Sequence, residues 1–148
     1  MLFYTHLLGG IVFYFLFKHW LDSSIIVFMF LLLGALLPDI DEHNSKIKKW
    51  FGIFGSIISF FSKHRGLFHS FFLSLVLFLL LGLWNWSYAF ALLIGYLSHL
   101  LLDGLTPMGI MPFYPFSKFR VKGPFRTGSV AEVLIVIGLI ILIVKEFL

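Results

Sequence analysis

The chain has 148 residues, of which 60% are hydrophobic and 12% are charged, and its mean hydropathy is +1.02. A soluble domain averages about 25% charged residues, and a chain this short has too much surface to hide 20 Phe together with long runs of Leu, Ile and Val. This composition excludes a water-soluble globule and predicts a single integral membrane domain over residues 1–148. Because the chain contains no cysteine, any metal ligands must be His and carboxylate side chains.

About five apolar stretches are predicted to cross the membrane, which makes the fold class an all-α, polytopic membrane helical bundle. Residues 1–17 and 23–38 carry no Asp, Glu, Lys or Arg, and each is close to the minimum length of about 17 residues for a spanning helix. The 37 uncharged residues from 66 to 102 are too many for one span, and the polar and aromatic segment Trp84–Tyr88 divides them. Residues 127–144 form the fifth predicted span.

The net charge of +4 comes from basic residues that are concentrated in two loops between the predicted spans. Cytoplasmic loops are enriched in Lys and Arg, so both loops are predicted to lie on the cytoplasmic side of a bacterial inner membrane. This topology signal explains the charge without a nucleic-acid partner. In the first of these loops, apolar residues follow helical spacing from residue 50 to 61, which predicts an amphipathic helix in the membrane interface or a re-entrant segment.

The ionisable side chains that this topology does not explain all lie at the cytoplasmic ends of the predicted spans. Each is a functional-site hypothesis, because an ionisable group beside a membrane span is costly to place in lipid. All five spans contribute, and one polar layer at a membrane face resembles the mouth of an active site more than a conduction path. The candidates are His6, Asp39, Asp41, His64, Arg65, His69, His99, Asp103 and Glu132.

The strongest local signal is the pair His99 and Asp103. They are four residues apart, which places both side chains on one face of a helix, about one turn from each other. Together they can bind one metal ion, or two ions with the carboxylate as a bridge. Imidazole and carboxylate ligands favour zinc, with manganese or iron as alternatives. The structural alternative is a buried His–Asp hydrogen bond that stabilises the bundle.

A second candidate segment follows Pro38, which ends the second predicted span. Asp39 and Asp41 are alternate residues, and in an extended segment alternate side chains point the same way. Two carboxylates this close need a cation between them, or one of them stays protonated. The alternative is a solvated acidic cap at the end of a helix.

His64, Arg65 and His69 lead into the third span and combine two imidazoles with a guanidinium. On a regular helix the two His would lie about 140° apart, so both reach one site only if Gly66 breaks the helix, unless they serve different metals. The planar guanidinium of Arg65 is suited to phosphate oxygens, either those of a substrate or those of the surrounding lipid.

The segment after Asp103 is rich in proline and aromatic residues and is predicted to form a rigid loop over the polar layer. In this loop, Thr106 is a candidate for orienting a ligand, with helix termination as the alternative. Glu132, at the start of the fifth span, is predicted to be either a metal ligand or a helix cap.

Four motifs in order, covering residues 5 to about 116, resemble the YdjM-like family of membrane-bound, metal-dependent hydrolases, some of whose members are LexA-regulated. The matching pieces are Thr5-His6 with Gly10, Leu37-Pro38-Asp39-Ile40-Asp41 with Ser45, His64-Arg65-Gly66 with His69-Ser70, and His99 to Asp103 continuing to Phe116. That family is similar to bacterial zinc-dependent phospholipase C, which cleaves phosphoesters on an all-helical fold. The resemblance implies metal-ligand roles for His6, His64 or His69, His99 and Asp103, with Asp39 or Asp41 as a ligand or water-activating base.

These observations together predict a metal-dependent phosphoester hydrolase with one or two divalent ions, since further histidines for a three-zinc site are lacking. Asp39 or Asp41 would take a proton from the metal-activated water, and Arg65 would stabilise the developing charge. A site in the headgroup layer favours membrane lipids or lipid-linked phosphates as substrates. The rival prediction is a non-catalytic metal- or proton-binding membrane protein, such as a transporter or a regulatory scaffold. The sequence predicts no oligomeric state.

Overall fold

The computed structural model describes residues 1–41, Gly52 and residues 66–148. Over these residues it contains five α-helices and no β-strand, which confirms the all-α prediction. The helices are α1 (Phe3–Phe17), α2 (Ile25–Leu36), α3 (Phe71–Gly82), α4 (Trp86–Gly104) and α5 (Val130–Lys145). Short 3₁₀ turns occupy Lys18–Trp20, Leu37–Asp41 and Leu67–His69. The predicted amphipathic helix over residues 50–61 lies outside the described residues.

One helix of the described segments, α4, is long and apolar enough to cross a membrane by itself, with 19 residues. The helices α1 and α5 have 15 and 16 residues, and α2 and α3 have 12 residues each. A spanning helix needs about 17–25 residues. The arrangement of five spans therefore stays a prediction, although many large apolar side chains on the outer helix faces are exposed, as a lipid environment requires.

Three polar side chains cap the starts of helices. Ser24 accepts a hydrogen bond from the amide of Ile26 at the start of α2, and Ser70 accepts one from Leu73 at the start of α3. Asn85 caps α4 and separates it from α3, as the Trp84–Tyr88 segment predicts. Such caps satisfy amide groups that have no partner inside the helix, and water cannot do so within lipid.

Close contact between α2 and α4 forms the centre of the bundle and depends on two glycines. A Cβ atom at Gly34 would lie 2.1 Å from the backbone oxygen of Leu92, and one at Gly95 would lie 1.9 Å from that of Leu31. Small residues allow helix backbones to approach in this way. The contact brings the end of α2 to the last turns of α4, and α1 and α3 pack on the same central helix.

The segment from residue 105 to 129 forms a loop at the end of α4. Ile110 and Val121 pair as an isolated antiparallel bridge, and the amide of Phe125 donates to the carbonyl of Leu105 at 3.0 Å. The carbonyl of Pro112 accepts a hydrogen bond of 2.8 Å from the amide of Phe71, at the start of α3. The loop is thereby fixed beside the same end of the bundle at which the polar residues gather.

Candidate metal centre

Four parts of the chain bring ionisable side chains together at one end of the bundle. His6 comes from the first turns of α1, Asp39 from the 3₁₀ turn after α2, and His69 from the 3₁₀ turn before α3. His99 and Asp103 come from the end of α4. We refer to these five residues as the His–Asp cluster.

The carboxylate of Asp103 lies at the centre of the cluster. Its Oδ1 is 3.3 Å from Nε2 of His6, and its Oδ2 is 3.4 Å from Nε2 of His69 and 3.8 Å from Nε2 of His99. The α-amino group of Met1 also contacts Oδ1. Three imidazole nitrogens therefore surround one buried carboxylate, and imidazole and carboxylate are ligand types that zinc binds.

The orientation of His99 is set by a backbone contact. Its Nδ1 lies 2.8 Å from the carbonyl oxygen of Ala35, and because a carbonyl only accepts, Nδ1 carries the proton of this hydrogen bond. In the neutral ring, Nε2 then has a free lone pair. Metal-binding imidazoles are held in this way, with one nitrogen on a backbone or carboxylate oxygen and the other on the metal.

The nitrogen Nε2 of His99 faces two possible partners in metal binding. It is 3.3 Å from Nε2 of His69 and 3.7 Å from Oδ1 of Asp39. A tetrahedral zinc ion, with ligand distances of about 2.0–2.2 Å, separates its ligand atoms by about 3.3–3.6 Å. The separations among His69, His99 and Asp103 are 3.3, 3.4 and 3.8 Å, so these three residues could hold one ion with little movement.

A second group of possible ligands, His6, Asp39 and His99, overlaps with the first through His99. In each group the ligand atoms lie within 4.8 Å of one another. The Nδ1 atom of His99 is occupied by Ala35, which leaves only Nε2 for a metal. Because one imidazole nitrogen binds one ion, the described residues fit a single ion more readily than two.

Burial makes the cluster energetically demanding. His6, His69, His99 and Asp103 are at most 1% exposed, whereas the side chain of Asp39 is 17% exposed. Within the part of the chain that the structure describes, Nδ1 of His6 makes no hydrogen bond, while its Nε2 faces Asp103 at 3.3 Å. The ring of His6 stacks on that of His99, with centroids 3.7 Å apart. A buried polar atom without a partner costs about 1–3 kcal/mol, and an ion is one way of removing that cost.

The remaining predicted site residues lie outside the cluster or serve the helix ends. Thr106 donates from Oγ1 to the carbonyl of Asp103 at 2.7 Å and accepts from the amide of Gly109 at 3.3 Å, so it terminates α4. Glu132 accepts hydrogen bonds from the beginning of α1 and from the turn before α5. Asp41 belongs to the 3₁₀ turn after α2, and its side chain is not among those described, while His64 and Arg65 lie outside the described residues.

The sequence analysis did not predict two groups that position cluster residues, the hydroxyl of Tyr96 and the carbonyl of Ala35. The hydroxyl of Tyr96 donates to the carbonyl of Phe68 at 2.6 Å and thereby holds the turn that carries His69. The signal in the sequence is a tyrosine within an apolar stretch, one turn before His99, because a hydroxyl that becomes buried there needs a partner. Nothing in the sequence distinguishes the carbonyl of Ala35, because every residue has a backbone carbonyl.

An apolar helical bundle with a buried His–Asp cluster at one end defines a class: an all-α membrane protein with a candidate metal centre. Within this class, residues 1–147 match the model of the family described as YdjM inner membrane protein, and the chain belongs to that family. The match confirms the predicted family and a location in a membrane.

The chain is also 37% identical over 110 residues to a protein of Bacillus subtilis (strain 168) named Uncharacterized protein YvsG. The alignment covers 72% of this chain and 68% of that relative. No solved structure gives a significant match. The predicted similarity to zinc-dependent phospholipase C therefore stays a prediction.

Proposed function

We propose that this protein is a metal-dependent phosphoester hydrolase, with its site at the cytoplasmic face of a multi-pass helical bundle. The observation that carries the proposal is the geometry of His69, His99 and Asp103, whose facing ligand atoms are 3.3–3.8 Å apart. Two imidazoles and a carboxylate are the ligand set of several catalytic zinc sites, which keep one position for water. Zinc is therefore the first choice, with manganese or iron as alternatives.

The cluster residues have different parts in the proposed reaction. A bound metal ion would lower the pKa of a water molecule and polarise a phosphoryl oxygen. Asp39 is the most open residue of the cluster, with 17% of its side chain exposed, and its Oδ1 is 3.7 Å from Nε2 of His99. This position suits a base that takes a proton from water, a role for which Asp41 remains the alternative. Arg65 would stabilise the negative charge on the phosphoryl group.

The loop beside the cluster supports a lipid or lipid-linked phosphate as the substrate. Residues 104–131 contain no acidic residue and four basic ones, which favours the anionic headgroup layer. Phe113 and Phe116 are 54% and 80% exposed, and their rings contact those of Phe71 and Phe72 directly after the His69 turn. Exposed Phe rings beside basic residues suit a segment that lies on a membrane surface.

The first experiment is elemental analysis of the full chain purified in detergent, after incubation with zinc and removal of loosely bound ions. We expect about one ion per chain in the parent and less than a tenth of that in His99→Ala. The matched control is His19→Ala, because His19 is an exposed histidine in the turn at the far end of α1. A parent protein without stoichiometric metal, or equal loss in both variants, would contradict the metal site.

Four of the five cluster residues are almost completely buried, which leaves little access for a substrate. This burial favours a second candidate function, a non-catalytic metal- or proton-binding membrane protein. Metal-loaded protein incubated with radiolabelled phospholipids in mixed micelles separates the two candidates. Release of a water-soluble or neutral lipid product by the parent, and not by Asp39→Asn, supports the hydrolase. Stoichiometric metal without turnover of any lipid class supports the second candidate.

A further inference from the structure

Glu132 is a buried carboxylate on the first turn of α5, a helix that is otherwise uncharged as far as Lys145, and it is 1% exposed. Its Oε2 accepts a hydrogen bond of 2.6 Å from the amide of Gly128, two residues before the helix begins. This contact closes the turn that leads into α5, as acidic residues in a first helical turn commonly do. One carboxylate oxygen is sufficient for that purpose.

The other oxygen of Glu132 binds a different helix. Oε1 accepts hydrogen bonds from the amide of Leu2 at 2.7 Å and from Oγ1 of Thr5 at 2.8 Å. Leu2 is the N-cap of α1 and its own side chain makes no capping hydrogen bond. Glu132 therefore caps α1 from a neighbouring helix more than 120 residues away along the chain.

This inter-helix cap holds the residue that precedes His6. Nδ1 of His6 makes no hydrogen bond to the described residues, so the ring is oriented by stacking on His99, by the contact of Nε2 with Asp103 and by the backbone of α1. A shift of the first turn of α1 therefore changes the 3.3 Å separation between His6 Nε2 and Asp103 Oδ1 directly. We propose that Glu132 is a positioning residue, which holds His6 against the His–Asp cluster through Thr5 and Leu2; this inference rests on the proposed metal site.

The opposite ends of α1 and α5 provide a matched control. There, Nζ of Lys18 contacts Oε2 of Glu146 at 2.6 Å, and the rings of Phe15 and Phe147 pack edge to face with centroids 5.5 Å apart. Glu146→Gln therefore removes a polar α1–α5 contact of similar length without touching the His6 end. Glu132→Gln keeps the size of the side chain but replaces one acceptor oxygen by a donor NH₂ group.

The test compares Glu132→Gln, Thr5→Val and Glu146→Gln with the parent, all as full chains in detergent. The zinc dissociation constant is measured by competition with a chelator, and the His6 imidazole is followed by NMR of ¹⁵N-histidine-labelled protein. We expect zinc affinity to fall about 10–100-fold in Glu132→Gln, because His6 contacts the proposed ligand Asp103 and residues that orient metal ligands have effects of this size. Thr5→Val should change it in the same direction, and Glu146→Gln should leave it unchanged.

The outcomes separate this inference from the proposed function. Parental zinc affinity and an unmoved His6 signal in folded Glu132→Gln and Thr5→Val would overturn the positioning role and leave the metal site intact. Equal losses in Glu132→Gln and Glu146→Gln would show that only helix docking matters, which also overturns it. A parent that binds no zinc overturns the proposed function, and the His6 signal then decides the positioning role alone. If Glu132→Gln does not fold, the zinc affinity and the His6 signal of Thr5→Val decide the positioning role.

Discussion

The close packing of α2 on α4 leads to a prediction that connects helix packing with the metal centre. In Gly95→Ala, the new Cβ would lie 1.9 Å from the backbone oxygen of Leu31, at a position where both atoms belong to helices. Restoring ordinary contact requires the two helices to separate locally by about 1.5 Å. The same movement lengthens the 2.8 Å hydrogen bond between His99 Nδ1 and the carbonyl of Ala35.

The expected loss of stability follows from three contributions. Overpacking costs about 1–3 kcal/mol, and leaving the buried groups of the His99 hydrogen bond unpaired costs about 1–3 kcal/mol. The higher helix propensity of Ala than of Gly offsets about 1 kcal/mol of this loss. The net destabilisation is about 1–5 kcal/mol, a large part of the ~5–15 kcal/mol that stabilises a typical protein.

The assay is thermal unfolding in detergent, followed by circular dichroism, together with the zinc dissociation constant. The control is Gly138→Ala in α5, because a Cβ at that position has no described atom within 4 Å. We expect Gly138→Ala to match or exceed the parent in stability, and Gly95→Ala to lose both stability and zinc affinity. If Gly95→Ala unfolds at the temperature of Gly138→Ala and binds zinc as the parent does, the proposed link between helix packing and the centre is refuted.

Three further substitutions test other contacts of the cluster and the bundle. Tyr96→Phe removes the hydroxyl that donates to the carbonyl of Phe68, and we expect unfolding measurements to show a loss of about 1–3 kcal/mol together with weaker zinc binding. Asp103→Asn removes a charge from the centre of the cluster and should abolish stoichiometric zinc in elemental analysis, whereas Asp22→Asn in the distant turn should not. Glu146→Gln breaks a half-exposed ion pair and should change the free energy of unfolding by no more than about 1 kcal/mol.

Each of these expectations has an outcome that contradicts it. Unchanged zinc affinity in Tyr96→Phe would mean that the hydroxyl does not hold the His69 turn. Stoichiometric zinc in Asp103→Asn would place the ion elsewhere in the chain. A loss well above 1 kcal/mol in Glu146→Gln would show that the ion pair is shielded from water more than its exposure indicates.

Local spacing explains which parts of the site were predictable. His99 and Asp103 are one helical turn apart, so any helix at this position brings them together regardless of its neighbours. Ser70 and Asn85 begin helices because their side chains satisfy nearby amides. The choice between His64 and His69 was not available from spacing, and the structure brings His69 into the cluster while His64 lies outside the described residues.

Contacts between distant parts of the chain explain what was not predictable. The helix α1 places His6 over His99, and α2 offers the carbonyl of Ala35, and both contacts depend on how helices cross. Glu132 could be assigned as a ligand or as a cap from its position alone, and only the packing of α1 on α5 shows that it binds the start of α1 as well as the turn before α5.

The sequence by itself determined the compartment, the helical class and the family, because apolar composition and short motifs are properties of the linear chain. It also determined which few ionisable residues needed an explanation. Only the tertiary structure decided which of them meet, which imidazole nitrogen of His99 faces the cluster, and that Thr106 and Glu132 support the helix ends. Most of these features depend on contacts between residues far apart in sequence, such as 2.8 Å from His99 to Ala35 and 2.7 Å from Leu2 to Glu132, and the packing of helices sets such distances.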